Sequence, residues 1–225
     1  HLWLLELVEG SLLRFQLRGS GAIRFGGERG VYPDDDAVPK ECRRAVRHVR
    51  ERLDREALRA AVDDVTDHTF VGRATHRERI DYDWERLPPF LGRDVWAANA
   101  DAFRPPDAAE AIFTRLGLEP VNPVAREIRS RDFDPGNYGM PSSAWYDGPA
   151  AGVVIRDKRG NRGELENSGI STPCGDRIAA DDVSELADAI ATDRRFERVA
   201  ARLRELGREP TVDQLHDRVL EDDYR

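Results

Sequence analysis

Lysine is nearly absent from this chain of 225 residues, although basic residues as a class are not. Lys40 and Lys158 are the only lysines among the 35 Lys and Arg residues, so chemistry that requires a lysine amine has two positions at most. Acidic residues outnumber basic ones, with 43 Asp and Glu residues and a net charge of −8. This acidic, arginine-rich composition is typical of proteins from halophilic organisms with GC-rich genomes.

The net charge also bears on the class of partner. An acidic surface repels the phosphates of nucleic acids at ordinary ionic strength, which argues against a nucleic acid ligand. In molar salt the argument weakens, because exposed charges are then screened within about 3 Å.

Cysteine and long apolar runs are also scarce. Cys42 and Cys174 are the only cysteines, and their spacing fits no metal-binding pattern, so we expect two free thiols of a cytoplasmic protein. No apolar run reaches the roughly 18 residues of a membrane span, and no secretory signal peptide is recognisable. The chain begins at His1, and we expect residues that normally precede the first strand to be missing from it.

The first two-thirds of the chain alternate between strand and helix patterns. Residues 2–25 alternate apolar and polar side chains with turns at Glu9-Gly10 and Gly19-Ser20-Gly21, which predicts an antiparallel meander. The further predicted elements are a helix over 41–62, short buried strands over 68–76 and 90–96, a helix over 107–116 that ends at Gly117, an irregular insertion over 122–150, and a hairpin over 150–166.

The tail is predicted to be helical. An apolar stripe made of Phe196, Val199, Ala200, Leu203 and Leu206 predicts one helix ending at Gly207, and a capping box at Thr211 and Gln214 predicts another. We therefore expect an α+β domain over residues 1–167, then a linker and a helical region over residues 168–225.

Four stretches, in this order, resemble the motifs of one enzyme family. They are "LVEGSLLRF" at residues 7–15, "FVGRATH" at 70–76, "FLGRDVW" at 90–96, and "AAGVVIRDK" at 150–158 followed by "RGELE". They resemble the K-x-D-G, F-x-G-E, F-D-V-W, E-G-V-V and closing-lysine motifs of the RNA ligase family, within the covalent nucleotidyltransferase superfamily. The chain as a whole is similar to RNA-ligase-domain proteins of halophilic archaea.

The resemblance implies a fold and a chemistry. The fold is two antiparallel β-sheets around a cleft, with flanking helices. The activity is ATP-dependent joining of RNA ends, with Mg²⁺, as in RNA repair. In this chemistry a lysine amine attacks the α-phosphate of ATP and carries AMP, which then passes to a 5′-phosphate end. Carboxylates hold the metal, and cationic side chains neutralise the developing phosphate charge.

This sequence departs from the family pattern at the first working positions. The nucleophile position is Leu7, which has no lone pair and cannot form a phosphoramidate. The acid of the same motif is Glu9 instead of aspartate, and Gly10 is retained. The glutamate position of the third motif is Arg73, which reverses its charge.

The later motifs depart in the same way. The adenine-stacking position is Arg93, followed by a retained Asp94. The glutamate that should precede Gly152 is Ala151, and the closing lysine position is Glu164. So many substitutions together indicate a catalytically impaired copy.

Two other kinds of site compete with this interpretation. Lys158 follows the predicted 153–155 strand and could face a phosphate or lie exposed on a hairpin, whereas Lys40 is expected at the surface. His76 with Asp81 and Asp83 suggests a metal site only weakly, because no second histidine is in register. The metal ligands, if any, stay open.

Two functions follow from the sequence. The first is an RNA-ligase-family domain whose catalysis is impaired. The second is a non-catalytic module that binds a nucleotide, RNA ends or a protein partner, for which Arg73, Arg93 and Arg156 would form a cationic cleft. ATP and Mg²⁺ are implied by the family resemblance alone, and no membrane partner is expected.

Overall fold

The computed structural model describes residues 1–170, 192–205 and 208–222. The chain divides into two compact units, His1–Ser171 and Thr172–Arg225. In the described residues, no helix is both long and apolar enough to cross a membrane.

The first unit contains two β-sheets. Its strands are β1 (Leu2–Leu7), β2 (Ser11–Leu17), β3 (Ile23–Gly27), β4 (Gly30–Val31), β5 (His68–Ala74), β6 (Phe90–Ala97), β7 (Ala102–Phe103), β8 (Pro123–Ile128), β9 (Gly152–Asp157) and β10 (Arg162–Glu166). One sheet has the order β10-β9-β1-β8 and the other β4-β3-β2-β5-β6-β7, and neighbouring strands are antiparallel. The predicted α+β class with two antiparallel sheets is confirmed.

The predicted meander over residues 2–25 is wrong at its first turn. Strand β1 pairs with β8 and β9 instead of β2, so the chain passes from one sheet to the other at Glu9-Gly10. Gly10 has a φ of +135°, and a Cβ there would lie 2.2 Å from the carbonyl oxygen of Ala74. The glycine that looked like a hairpin turn is therefore needed for a close backbone crossing between the sheets.

Two hydrophobic cores hold this unit together. In the first, α1 (Lys40–Arg52) and α3 (Pro106–Arg115) pack on the six-stranded sheet, and Phe15 stacks on Phe70 at 4.9 Å. The second core joins the two sheets, since it contains Leu5 of β1, Val154 of β9 and Leu91 of β6. Apolar side chains of this second core therefore fill part of the space between the two sheets.

The single helix predicted over residues 41–62 is two helices. Helix α1 ends at Arg52, and α2 (Arg55–Ala61) begins after Asp54. Asp54 interrupts the helix because its backbone N–H donates to Leu116 O at 2.9 Å while its carboxylate accepts from Ala57 N at 2.8 Å. The apolar stripe runs through both helices, which is why periodicity alone could not show the break.

We expect Asp54→Ala to lower the free energy of unfolding by about 1 kcal/mol, because the first turn of α2 loses its cap. Chemical denaturation of the full chain measures the change. Asp63→Ala, an exposed aspartate just beyond the same helix, is the matched control. Equal effects of the two substitutions would contradict the capping role.

The insertion over residues 122–150 is less irregular than predicted, because it contains β8. This strand lies at the edge of the four-stranded sheet and begins with Pro123, which an edge position tolerates. Its sequence has no clean apolar alternation, so the sequence alone gave little sign of a strand. The buried carboxylate of Glu6 fastens the later part, accepting from Ser143 Oγ at 2.6 Å and from Ala144 N at 3.1 Å.

Several local predictions are confirmed. Strands β5 and β6 occupy the two predicted buried segments, and β9 and β10 form the predicted hairpin. Helix α3 is followed by Leu116 and then Gly117, whose φ of +75° ends the helix.

The second unit contains two described helices, α4 (Asp193–Glu205) and α5 (Val212–Asp222). Their small core includes Val199, Leu203 and Val219. The predicted cap is present, as Thr211 Oγ1 accepts from Gln214 N at 3.3 Å. Leu206, Gly207 and most of the predicted linker over 168–180 lie outside the described residues.

Candidate functional site

Charged side chains from both sheets meet between them. We call this group the inter-sheet charge cluster; it consists of Arg73, Arg93, Asp94, Arg156, Arg162 and Glu164. Strands β5 and β6 supply three members, and β9 and β10 supply the other three. Side chains two residues apart share a face of a strand, which places Arg162 and Glu164 on the same side of β10.

Glu164 connects β10 to two strands of the opposite sheet. Its carboxylate accepts a hydrogen bond from Arg93 Nη1 at 3.0 Å and lies 3.9 Å from Arg73 Nη2. Arg73 also donates to Gly10 O at 2.7 Å, which ties the cluster to the chain crossing. The Glu164 side chain is 40% exposed, whereas that of Arg93 is 8% exposed.

Asp94 is the buried centre of the cluster. It is inaccessible to solvent and accepts from Arg93 Nε at 3.0 Å. It also forms an ion pair with Arg156 and lies 3.4 Å from Arg162 Nη1. Three guanidinium groups therefore surround one carboxylate, and the two sheets are joined by ion pairs at this point.

Arg156 is buried, and its environment is strongly cationic. Burial, and then the nearby positive charges of Arg162 and Arg93, lower the pKa of Arg156 to about 10. Partial burial and then Arg93 lower the pKa of Arg162 as well. Arg156 stays protonated at neutral pH, since its pKa is well above 7. Within the cluster four guanidinium groups face two carboxylates, an excess of two positive charges.

A β-bulge sets the position of Arg93. Val71 pairs with Asp94 and Gly72 pairs with Gly92, so Arg93 is the extra residue of β6. A bulge breaks the alternation of a strand and re-aims side chains. It lets Arg93 and Asp94, which are adjacent in sequence, both contact groups of the opposite sheet.

The predicted nucleophile corner is apolar. Leu7 is 8% exposed and belongs to the core between the sheets, together with Ala151 and Val154. It pairs with Gly152, where a Cβ would lie 2.4 Å from Leu165 O and 3.0 Å from the Leu7 side chain. Leu7, Ala151 and Gly152 thus pack against one another, and none of them supplies a reactive side chain.

Glu9 fastens the loop between β5 and β6. Its carboxylate accepts from Arg79 Nε at 2.7 Å, from Arg79 N at 2.8 Å and from Ile80 N at 2.8 Å. Its backbone N–H donates to the Tyr82 hydroxyl at 3.2 Å. The Glu9 side chain is 2% exposed, and both of its carboxylate oxygens accept hydrogen bonds from loop residues.

Neither lysine lies near Leu7. Lys40 is exposed at the start of α1, which packs on the outer face of the six-stranded sheet. Lys158 lies in the β9–β10 turn, 2.8 Å from Glu127 and 3.4 Å from Asp107, and the hydrogen bond with Glu127 raises its pKa. It lies six residues beyond Gly152, which is about 20 Å along a strand.

The described residues do not fit a magnesium site. Asp94, Glu164 and Glu9 are each paired with arginine, and the described part of the chain contains no cluster of three His, Cys, Asp or Glu residues suited to a metal. His76 Nε2 lies 2.9 Å from Ser11 Oγ, while Asp81 accepts from Trp84 Nε1 at 3.0 Å.

The sequence analysis missed two arginines at the site. Arg162 could have been predicted, because it precedes Glu164 by two residues in a predicted strand and therefore lies on the same face of that strand. Arg79 could not have been predicted, since it lies in a loop and its pairing with Glu9 spans 70 residues.

Comparisons with known proteins bear on the fold. No family model matches the sequence, and no curated protein matches it. Among solved structures, the Naegleria gruberi RNA ligase with PPi has 11% identity and a TM-score of 0.53, covering 74% of this chain and 49% of that chain. The E227A mutant of that ligase with ATP and Mn has 12% identity and a TM-score of 0.53, covering 74% and 50%.

An archaeal ATP-dependent RNA ligase (form 2) has 17% identity and a TM-score of 0.46, covering 73% of this chain and 41% of that chain. This chain therefore spans about half the length of the Naegleria structures, and less of the archaeal one. At such identities the likeness concerns the fold alone. The chain has an RNA-ligase-like fold.

Proposed function

We propose that this chain is a ligase-derived, non-catalytic module that binds a phosphate-bearing ligand at the inter-sheet charge cluster. The ligand is a nucleotide or the 5′-phosphate end of an RNA. The observation that carries the proposal is the cluster itself, in which four guanidinium groups face two carboxylates between the sheets.

Arginine is suited to this role. Its planar guanidinium donates in pairs to phosphate oxygens and stays charged in a partly buried site. The cluster is also a local positive excess in a chain with a net charge of −8, so it attracts anions to one place. A small terminal phosphate suits such a site better than a long duplex, whose backbone the acidic surface repels.

The positions assigned by the resemblance support binding without adenylyl transfer. Leu7 cannot carry AMP, and Lys40 and Lys158 lie elsewhere. Arg73, Arg93, Asp94 and Glu164 lie between the sheets and form ion pairs within the cluster. In our proposal Arg73 and Arg93 contact the phosphate, Asp94 holds Arg93 in place, and the carbonyl oxygen of Gly10 holds Arg73. Ala151 and Gly152 line the site from the opposite sheet.

The experiment joins two measurements on the full chain. We expect no covalent label after incubation with α-³²P-ATP and Mg²⁺ or Mn²⁺ in low and in molar KCl, as checked by gel and intact mass. We expect ATP and a 5′-phosphorylated oligoribonucleotide to bind, as measured by calorimetry and fluorescence anisotropy. A stable AMP adduct would overturn the non-catalytic assignment.

Arg73→Gln and Arg93→Gln are each expected to weaken this binding about tenfold or more, because each removes a charge-assisted hydrogen bond worth about 1.5–3 kcal/mol. Arg129→Gln, at an exposed arginine of the insertion, is the matched control and should leave the affinity unchanged. If all three variants bind like the original chain, the cluster is not the binding site.

A further inference from the structure

We infer that Glu164 is an internal competitor for phosphate, which a terminal phosphate group of the ligand displaces from Arg73 and Arg93. The inference rests on the proposed function, since it concerns the same cluster. It adds a named autoinhibitory contact and a preference for ligands that carry a terminal phosphate group.

The geometry of Glu164 is that of an anion held by two arginines. One carboxylate oxygen lies 3.0 Å from Arg93 Nη1 and the other 3.9 Å from Arg73 Nη2. A phosphate that contacts Arg93 Nη1 and Arg73 Nη2 together would occupy the position that the carboxylate now fills. The protein therefore supplies its own anion at the proposed site.

The two carboxylates of the cluster differ in how easily they can leave. Asp94 has no solvent exposure and three guanidinium partners, so it is a permanent counter-ion. The Glu164 side chain is 40% exposed, and it lies on β10, an edge strand that pairs only with β9 in its sheet. Glu164 can move into solvent without leaving a buried charge unpaired inside the protein.

The arginines, in contrast, are held in place. Arg93 is anchored by Asp94 at 3.0 Å, and Arg73 is anchored by Gly10 O at 2.7 Å. Arg73 Nε is also buried and has no acceptor among the residues that the structure describes. The donors thus keep their positions when the carboxylate leaves, and one of them still has a hydrogen bond to give.

Phosphate matches these donors better than the carboxylate does. A terminal phosphate carries up to two negative charges and three acceptor oxygens, whereas a carboxylate carries one charge and two oxygens. A phosphodiester inside a chain carries a single charge. The exchange therefore favours a terminal phosphate group, as in ATP or a 5′-phosphorylated RNA end, over an internal phosphodiester.

The test compares Glu164→Gln with Glu166→Gln. Both substitutions remove one negative charge from the same strand, but Glu166 is exposed at the end of β10. We expect Glu164→Gln to bind ATP and a 5′-phosphorylated oligoribonucleotide about tenfold more tightly than the original chain. Glu166→Gln should bind both ligands with nearly the affinity of the original chain. The gain should be smaller for the 5′-hydroxyl oligoribonucleotide and should disappear when Arg73→Gln is added.

The outcomes separate the competitor role of Glu164 from the proposed function. If the original chain binds and Glu164→Gln does not tighten binding, the competitor role is wrong and the proposed function stands. Equal gains in both variants would reduce the effect to net charge and overturn the inference. If neither the original chain nor Glu164→Gln binds, the proposed function fails together with it. Unfolding midpoints of the variants establish that each one is folded in the assay.

Discussion

Asp94→Asn is expected to lower the free energy of unfolding by about 3–5 kcal/mol, because it leaves a buried cation without its counter-ion. Arg156 is 1% exposed and pairs with Asp94, and Arg93 pairs with the same carboxylate. Many domains are stable by only about 5–15 kcal/mol, so a loss of this size removes a large share of the total.

Denaturant unfolding in molar KCl measures this loss, with Asp63→Asn as the exposed control. Arg156→Met in the Asp94→Asn background should recover part of the stability, because the cation that needed Asp94 is then gone. The double-mutant cycle should give a coupling energy above about 1 kcal/mol. Additive effects would show that Asp94 does not act through Arg156.

The second large effect is expected at Glu9. Glu9→Gln should lower the free energy of unfolding by about 2–4 kcal/mol, since the amide cannot accept from Arg79 and Ile80 as the buried carboxylate does. The substitution should also increase local opening of the loop between β5 and β6, because these contacts hold that loop in place. Glu85→Gln, at an exposed glutamate of the same loop, should change stability little.

Hydrogen exchange distinguishes this role from a general loss of stability. The Ile80 amide donates to Glu9, so its protection should fall more than that of amides in β2. A uniform fall across the unit, with no extra loss at Ile80, would contradict the anchoring role. Glu9 would then need another explanation for its burial.

Both predictions distinguish buried ion pairs from charges on the exposed surface. Exposed charges lose most of their effect in molar salt, whereas buried pairs are screened much less. Asp94 and Glu9 are therefore expected to matter at every ionic strength. The Arg50–Asp35 pair on the surface should contribute little, as exposed pairs typically do.

Local signals in the sequence were sufficient for much of the fold. The apolar run over residues 153–155, the turn residues over 159–161 and the glycine after α3 are local signals, so the hairpin and the helix end could be predicted directly. The register of β1 could not, since its pairing partners lie more than 100 residues away. Glu6 is also more than 100 residues away in sequence from Ser143 and Ala144, to which it is hydrogen-bonded.

The sequence by itself determined that position 7 carries no nucleophile. A leucine side chain has no lone pair in any fold, and a chain with two lysines has few alternatives. The resemblance of the motifs also predicts that Arg73 occupies a glutamate position and Glu164 a lysine position of the RNA ligase pattern.

Only the tertiary structure decided what those residues do. Arg73 and Glu164 are 91 positions apart, and Asp94 and Arg156 are 62 apart, so no local pattern links them. Their pairing depends on two sheets packing face to face and on a bulge that adds Arg93 to β6. Charge pairs of this kind form only after the backbone has brought the strands together. The tertiary fold, and not the motifs, therefore decides whether the arginines are paired with carboxylates of the same chain.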